Sequence, residues 1–256
     1  DIWMRDIAPI FVRSDEGAVA PVCFAFNGWG GKYILDGDDL VAGRIAELAG
    51  GELYAFGIIL EGGAIESDGE GTLLTTKQCL LNENRNAGLD VPGLERCLGD
   101  ALGARRLLFL EEGLLNDHTD GHIDTIARFV EPGRVVCMAA RDRDDPNTEV
   151  LEAIASMLAQ LKDAEGRRLE VERIPSPGLV TDHEGMVMPA SYVNFYIANT
   201  TVVVPTYGTP WDDEAVDGIA ALFPNRQVVG RRANAVLTGG GAFHCITQPE
   251  PVGAGH

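Results

Sequence analysis

The pattern of apolar and polar positions repeats one unit four times along the chain. Each unit has a β-rich segment, a tight turn, a second β-rich segment, a polar loop and then a helix. The predicted hairpins pair residues 10–12 with 19–26, 64–67 with 72–76, 125–130 with 134–140, and 192–198 with 201–205. The helices that follow are predicted over 39–48, around Leu94, Leu98 and Leu102, from 145 onward, and over 214–222.

The third of these helices has the clearest signals. Asp145 and Pro146 are typical of an N-cap followed by a first-turn proline. Val150, Ile154 and Leu158 recur at helical spacing and define one apolar face.

Four units at nearly even spacing predict a repeat architecture with internal symmetry. After the fourth unit, residues 231–248 are strand-like and no helix follows them. Because the chain also starts inside a unit, these two ends predict a closed ring with one blade split between them and partly missing. An ordinary α/β domain with coincidental spacing is the alternative.

Composition narrows the class of protein. The 256 residues are 45% hydrophobic and 23% charged, which is typical of a globular chain. The net charge of −19 argues against binding to nucleic acid or to an anionic membrane surface, since both need clustered Lys and Arg. A negative field does favour a cationic ligand.

Cysteine and histidine usage argues against disulfides and structural metals. Five cysteines without a CxxC pair predict free thiols in a reducing cytoplasm. His118 and His122 have the spacing of a helical zinc pair. However, Thr119 stands where the metalloprotease motif has Glu, and Gly121 disfavours a helix. No metal is therefore predicted, and no apolar run is long enough for a membrane helix.

Four short motifs carry candidate chemistry. Asp6 precedes the first strand, Glu61-Gly62-Gly63 precedes the second hairpin, and His122 and Asp124 precede the third. The fourth motif is the glycine-rich run at 239–241 that leads to Cys245. The first three lie where a loop meets the first strand of a unit. In a ring such edges converge on the axis, so we expect the four motifs to form one site.

The residue types in these motifs suit a planar cation. Carboxylates match the fixed N–H donors of a guanidinium, and a cysteine beside a bound cation is a more available nucleophile. An imidazole can transfer protons. Because adjacent residues of a strand face opposite ways, His122 rather than His244 is the predicted partner of Cys245. The triple glycine indicates close backbone approach to a ligand or a neighbouring strand.

The combined motifs resemble the agmatine deiminase family, one of the guanidine-modifying enzymes that also include peptidyl-arginine deiminases. The resemblance runs nearly end to end. It rests on Trp3-Met4-Arg5-Asp6, Glu61-Gly62-Gly63, Asp68-Gly69-Glu70-Gly71-Thr72, Leu80-Leu81-Asn82, Asn84-Arg85-Asn86, residues 119–124, Arg128-Phe129-Val130, residues 191–199, Gly239-Gly240-Gly241 and His244-Cys245-Ile246-Thr247-Gln248.

This resemblance implies a fold and a substrate site. The family fold is a five-bladed α/β propeller, the pentein fold, and residues 1–256 would be a single catalytic domain that lacks part of its first blade at the N-terminus. Asp6 and Asp124 would hold the nitrogens of a small guanidinium substrate. Trp3 and Gly240 would also contact that substrate.

The resemblance also implies a mechanism. Cys245 would attack the guanidinium carbon, His122 would protonate the leaving ammonia and then activate water, and Glu61 would support His122. A covalent thiouronium would hydrolyse to a ureido product, which is N-carbamoylputrescine if the substrate is agmatine. No metal or organic cofactor is implied.

Three departures from the family pattern bear on this prediction. Ile7-Ala8 replaces a Thr-Gly or Ser-Gly pair, and Ala8 would strain the loop of Asp6 if that glycine needs a positive φ. Glu66 stands where the family often has His. A segment that precedes Trp3 in the family is absent from this sequence.

Other functions stay open at this point. They are deimination of arginine or peptidyl-arginine, amidino transfer from the same intermediate, and a non-catalytic protein that binds guanidinium groups or polyamines. The oligomeric state is also open, with a homo-oligomer as one alternative.

Overall fold

The structure is an α/β arrangement of four small sheets. This computed structural model describes residues 1–50 and 52–253. Each sheet has three strands, of which the first two pair antiparallel and the last two pair parallel. The same topology in all four sheets confirms the predicted repeat of hairpin and helix.

The strands that build the four sheets, in order, are β1 (Ile10–Arg13), β2 (Val19–Ala25) and β3 (Tyr54–Ile59); β4 (Ile65–Ser67), β5 (Thr72–Thr76) and β6 (Arg106–Leu110); β7 (Ala127–Glu131), β8 (Arg134–Ala139) and β9 (Glu170–Pro175); β10 (Tyr196–Ile197), β11 (Thr201–Thr206) and β12 (Gln227–Arg232). The helices are α1 (Met4–Ile7), α2 (Gly28–Gly31), α3 (Val41–Ala49), α4 (Lys77–Leu80), α5 (Glu83–Asn86), α6 (Val91–Leu102), α7 (Thr148–Leu158), α8 (Asp212–Leu222) and α9 (Asn234–Leu237).

A long helix carries the chain from the second to the third strand of each sheet, as a parallel pairing requires. Helix α6 shows why these segments become helical. The Asp90 side chain accepts a hydrogen bond from the backbone N–H of Gly93, and Pro92 occupies the first turn. Gly103 ends the helix in the left-handed conformation, and Leu94 and Leu98 are buried against the sheet.

The third strand of each unit is the element that hydrophobic patterning missed. Strands β3, β6, β9 and β12 follow the helices and pair parallel with the middle strands. Their apolar runs are short, and a parallel partner far away in sequence leaves no local turn signal.

Two predicted details are wrong. The segment 231–248 is not a strand: β12 ends at Arg232, α9 follows, and the remainder is irregular. Asp145 is not an N-cap, because the helix begins at Thr148. Its carboxylate accepts hydrogen bonds from Asn147 N and Ser176 Oγ instead, and so ties the loop to the end of β9.

The buried core is uneven across the units. The largest cluster runs from β5 and β6 through the third and fourth sheets and their helices. A second cluster packs α6 against the second sheet. Among the described residues of the first unit, the separate buried cluster is small and consists of Cys23, Ala42 and Ala46. No helix in the described part of the chain has the length and apolar character needed to cross a bilayer.

Candidate active site

The predicted chemical groups lie outside the strands, in segments that precede or follow the sheets. Asp6 lies in α1 before the first sheet, and Glu61 lies just before β4. His122 and Asp124 lie at a short 3₁₀ turn before β7, and Cys245 lies in the irregular segment after α9. All five side chains are between 0% and 7% exposed. The structure therefore brings together the residues that the four motifs contribute.

Gly63 marks the point where three of these groups converge. A methyl group added at Gly63 would lie 2.6 Å from His122 Nδ1, 2.8 Å from Asp6 Oδ1 and 3.1 Å from Asp124 Oδ2. The backbone N–H of Gly63 also donates a hydrogen bond to Asp6 Oδ1 over 3.0 Å. A glycine is needed here because any side chain would enter this group of atoms.

Asp6 is fixed by two donors and held near a second carboxyl. The Trp29 indole Nε1 donates to Asp6 Oδ2 over 2.9 Å, from a backbone with a left-handed φ of 53°. Burial raises the pKa of Asp6 well above its ordinary value, and the charge of Asp124 raises it further. Without a cation nearby, Asp6 therefore favours its neutral form.

Asp124 links two residues that adjoin in sequence. Its Oδ2 lies 2.6 Å from His244 Nδ1 and accepts a hydrogen bond from Cys245 Sγ over 3.5 Å. Its Oδ1 is buried without a hydrogen-bond partner. Burial raises the pKa of Asp124 to about 7, although the charges of Arg128 and Arg5 oppose that shift. Oδ1 is therefore an acceptor available to a ligand.

Cys245 lies against Asp124 and Asn194. Asn194 Nδ2 donates to Cys245 Sγ over 3.2 Å. Burial raises the pKa of the Cys245 thiol well above its ordinary value, and the charges of Asp124 and Asp6 add to this effect. A cation bound between these groups would favour the thiolate.

His122 is neutral in this setting. Burial lowers its pKa well below the ordinary value, and the charge of Arg85 lowers it further. Its Nδ1 lies 3.8 Å from Asp6 Oδ1, and its Nε2 is buried without a hydrogen-bond partner. A neutral imidazole here can accept a proton from a neighbouring group.

Arg85 forms a buried ion pair with Glu61. Arg85 Nε donates to Glu61 Oε1 over 2.7 Å, and its other nitrogens donate to Asn84, Asp120 and the Thr119 carbonyl oxygen. Both partners of this ion pair have side chains with 0% exposure. Arg85 thus connects Glu61 to the loop that carries His122.

A cavity of about 550 Å³ opens onto Asp6 and Cys245. Trp3 and Gly240, the two further predicted substrate contacts, both line it. Its walls also include Asp1, Trp29, Lys32, Tyr33, Ile34, Leu35, His118, Thr119, Thr238, Gly239 and Gly241. A methyl group at Gly241 would lie 2.7 Å from the Trp3 ring and 2.9 Å from Cys245 Sγ. Gly241 therefore allows these two side chains to approach the backbone at this wall, whereas the sequence predicted the approach of a ligand or a neighbouring strand.

Sequence patterning missed several site residues. Alternation along a strand excludes His244 as a partner of Cys245, but residues 244 and 245 do not lie in a strand. The His244 ring instead contacts Asp124. Trp29 lies in the first unit and has no local signal of a role. Asn194 belongs to the run 191–199 that carries the family resemblance, and that run was the available signal. Arg85 belongs to the Asn84-Arg85-Asn86 motif, and that motif was the available signal.

Two departures from the family pattern have local explanations. Ala8 has φ −90° and ψ 164°, which any residue adopts, so the chain is not strained at this position. Glu66 accepts hydrogen bonds from Arg128 Nε over 2.6 Å and from the Phe129 backbone N–H over 3.1 Å. The Glu66 carboxylate thereby balances the charge of the buried Arg128 side chain, which also acts on Asp124.

Comparison with known proteins finds relatives over nearly the whole chain. Residues 1–251 match the model of the Porphyromonas-type peptidyl-arginine deiminase family. A Listeria monocytogenes serotype 4b protein assigned as agmatine deiminase 1 is 41% identical over 276 residues, which cover 99% of this chain and 76% of that protein.

Solved structures also match nearly the whole chain. Agmatine deiminase of Enterococcus faecalis is 37% identical with a TM-score of 0.92, over 98% of this chain and 74% of that one. A variant of C. jejuni agmatine deiminase with substrate bound is 30% identical with a TM-score of 0.88, over 98% and 73% of the two chains. A dimethylarginine dimethylaminohydrolase shares the fold at 12% identity and a TM-score of 0.55. The chain therefore belongs to the agmatine deiminase family, within the Porphyromonas-type peptidyl-arginine deiminases.

Proposed function

We propose that this protein hydrolyses agmatine to N-carbamoylputrescine and ammonia. The observation that carries the proposal is the buried cluster around Gly63, where oxygens of Asp6 and Asp124 lie beside His122, and Asp124 contacts the Cys245 thiol. Two carboxyls, an imidazole and a thiol at the end of one cavity match the donors and the electrophilic carbon of a guanidinium. Relatives at about 40% identity are assigned as agmatine deiminases.

Binding of the guanidinium prepares the nucleophile. Its N–H groups donate to Asp6 and to the free Oδ1 of Asp124. Because the ligand brings a positive charge into a buried site, it lowers the pKa of both carboxyls and of the Cys245 thiol. The substrate thus shifts the site from neutral groups to the ionised forms that the chemistry needs.

The covalent step transfers one proton. The Cys245 thiol gives its proton to neutral His122, and the thiolate forms a bond to the guanidinium carbon. The protonated His122 returns this proton to the leaving nitrogen, the C–N bond breaks, and ammonia departs. The remaining species is a positively charged thiouronium on Sγ.

Hydrolysis of the thiouronium reverses these roles. His122 takes a proton from water, and the hydroxide bonds to the carbon. The C–S bond then breaks, the sulfur takes back the proton held by His122, the hydroxyl proton passes to solvent, and the neutral ureido product leaves. Glu61 supports the charge that His122 acquires in each half of the cycle. This sequence needs no metal or organic cofactor.

The cavity favours agmatine over arginine. Among the described residues that line it, Lys32 is the only Lys or Arg that could hold a substrate carboxylate. Its ammonium already donates to Asp120 Oδ1 over 2.5 Å and to the His118 carbonyl oxygen over 2.8 Å. Arginine would therefore place its carboxylate in the cavity without a free cationic partner.

A substrate panel tests the proposal. We expect release of ammonia and ureido product from agmatine, with kcat/KM at least ~30-fold above that for arginine, and the panel also includes a peptidyl-arginine substrate. The ratio for arginine follows because the unpaired buried charge of its carboxylate costs about 2 kcal/mol or more. Faster turnover of either arginine substrate, or no turnover of agmatine, would contradict it.

We also propose that the four sheets belong to a five-bladed ring. Two contacts between the chain ends support closure: Arg5 N donates to the Cys245 carbonyl oxygen over 3.0 Å, and Gln248 Nε2 donates to the Pro9 carbonyl oxygen over 2.7 Å. Residues near the two ends would thus share the fifth blade. The free cysteines fit the predicted reducing cytoplasm.

The raised pKa of Asp124, about 7, predicts a pH-dependent ligand effect. A carboxyl with a raised folded-state pKa contributes stability below its unfolded value near 3.8 and loses that contribution as pH rises through about 7. A guanidinium binds the ionised form, so it stabilises the protein more at high pH.

We expect the agmatine-induced rise in Tm of the Cys245→Ala variant to grow between about pH 5.5 and about pH 7.5. Because Asp6 and Asp124 interact, the midpoint of this pH dependence is an apparent pKa of the pair and not of Asp124 alone. Thermal unfolding with and without agmatine measures it. A second substitution, Asp124→Asn, should flatten the dependence, and a rise in Tm that is constant with pH would contradict the assignment.

A further inference from the structure

A second set of buried groups lies behind His122, away from Gly63. One ligand atom from each of Glu61, Cys79 and His122 lies within 4.8 Å of the other two. The three residues are between 0% and 1% exposed. Cys79 comes from α4, where its backbone N–H donates to Thr76 Oγ1, so the short helix fixes the direction of its side chain. The deimination mechanism does not use this thiol.

Two atoms of this set have no hydrogen-bond partner. Glu61 uses Oε1 for Arg85, which leaves Oε2 unpaired. His122 directs Nδ1 toward Gly63 and Asp6, which leaves Nε2 unpaired. Buried atoms without a partner are rare because their desolvation is not compensated. A carboxylate oxygen, an imidazole nitrogen and a sulfur are also the three donor types that zinc accepts.

We propose that Glu61 Oε2, Cys79 Sγ and His122 Nε2 form an inhibitory Zn²⁺ site behind the catalytic histidine. A tetrahedral zinc needs donor pairs about 3.5 Å apart, so pairs that lie within 4.8 Å here must close by up to about 1.3 Å. Three protein ligands leave the fourth position to water. The cavity wall at Thr119 is close to the site, since Thr119 Oγ1 accepts the His122 backbone N–H over 3.1 Å.

The local charges admit a dication. Arg85 and Lys32 are the nearby cations, and each is already paired, Arg85 with Glu61 and Asp120 and Lys32 with Asp120. Burial raises the pKa of the Cys79 thiol well above its ordinary value, so zinc must displace its proton. The bound thiolate and Glu61 then offset the two charges of the ion, and Asp120 remains the carboxylate partner of Arg85 and of the partly exposed Lys32.

Zinc at this site would stop proton transfer. An imidazole coordinated through Nε2 is fixed in orientation and can no longer cycle between its neutral and protonated forms. Because the ion lies on the far side of the ring from Asp6, it does not occupy the substrate cavity. We therefore expect a fall in kcat with little change in KM; this readout rests on the proposed function.

Cobalt tests the site without relying on activity. In a Cys245→Ala background, we expect Co²⁺ to produce a thiolate-to-metal charge-transfer band and the visible bands of tetrahedral coordination. A further Cys79→Ala substitution should abolish these bands. Cys137→Ala removes another thiol with 0% exposure and should leave the bands intact. Bands that survive Cys79→Ala, or no bands in the Cys245→Ala protein, would overturn the proposal.

Activity assays then test zinc inhibition in proteins that retain Cys245. Zinc should inhibit agmatine turnover by the parent protein and by Cys137→Ala, whereas Cys79→Ala should retain activity and resist zinc by at least tenfold in the inhibiting concentration. Equal sensitivity of the Cys79→Ala variant would place the ion on another ligand such as Cys245 and overturn the proposal. If agmatine is not a substrate, the cobalt bands still decide whether the site exists.

Discussion

Replacing Cys245 with serine is expected to lower kcat for agmatine by on the order of 10⁴-fold or more, while the protein remains folded. A serine hydroxyl keeps the hydrogen-bonding contacts with Asn194 and Asp124 at nearly the same volume. However, it ionises far less readily than a thiol, and the bound cation cannot compensate for this difference. Steady-state assays of the purified variant measure the loss.

The covalent intermediate gives a second measurement of the same prediction. Rapid quenching of the parent protein with agmatine should yield a species heavier by the mass of agmatine minus ammonia, and the Cys245→Ser variant should lack it. Cys137→Ser is a matched control, since Cys137 is buried in β8 away from the cavity. A Cys245→Ser variant with near-normal turnover would show that another residue is the nucleophile.

A single methyl group at Gly63 is expected to reduce kcat/KM by about 10²-fold or more. The new Cβ would lie under 3.0 Å from both His122 Nδ1 and Asp6 Oδ1, so these groups must move. A displacement near 1 Å of a group that binds or reacts costs about 10²-fold in rate. The Gly63→Ala variant, assayed with agmatine, tests whether these atoms share one reaction site.

Gly57→Ala is the control for this substitution. Gly57 lies in β3, and a methyl group there would meet nothing within 4 Å. We expect it to leave turnover unchanged. In the Gly63→Ala variant, Tm in the absence of ligand should fall modestly, since a forced overlap typically costs 1–3 kcal/mol. The rise in Tm on adding agmatine should be much reduced, and an unchanged kcat/KM would show that the cluster is not the reaction site.

Local sequence signals explain which parts of the fold were predictable. The hairpins of β1–β2, β4–β5, β7–β8 and β10–β11 have adjacent apolar strands and turn residues between them, and their positions were predicted to within a few residues. Strands β3, β6, β9 and β12 pair in parallel across a helix, so their partners leave no local mark. The segment after β12 is apolar because it packs into the core, with Ala233, Leu237 and Ala242 nearly fully buried. Its hydrophobicity therefore reflects burial without strand structure.

The residues of the candidate site also fall into a group that the sequence predicts and a group that it does not. Asp6, Glu61, His122, Asp124 and Cys245 lie in motifs whose residue types indicate guanidinium chemistry, and the structure places them in one cluster. The residues that orient them come from other units: Trp29 lies outside every motif, and Asn194 lies in the run 191–199 without a chemical signal of its role. Their positions depend on how the units pack, which the sequence pattern does not encode locally.

The placement of every reacting group outside the four sheets has a consequence for folding. No single sheet contains the site, so no unit folded on its own could bind substrate. If the first unit, whose buried cluster is small, opens locally, Asp6 and Trp29 leave the site while the rest of the core stays intact. Activity therefore reports the docking of all units at once, and during gradual denaturation it would disappear before most of the secondary structure does.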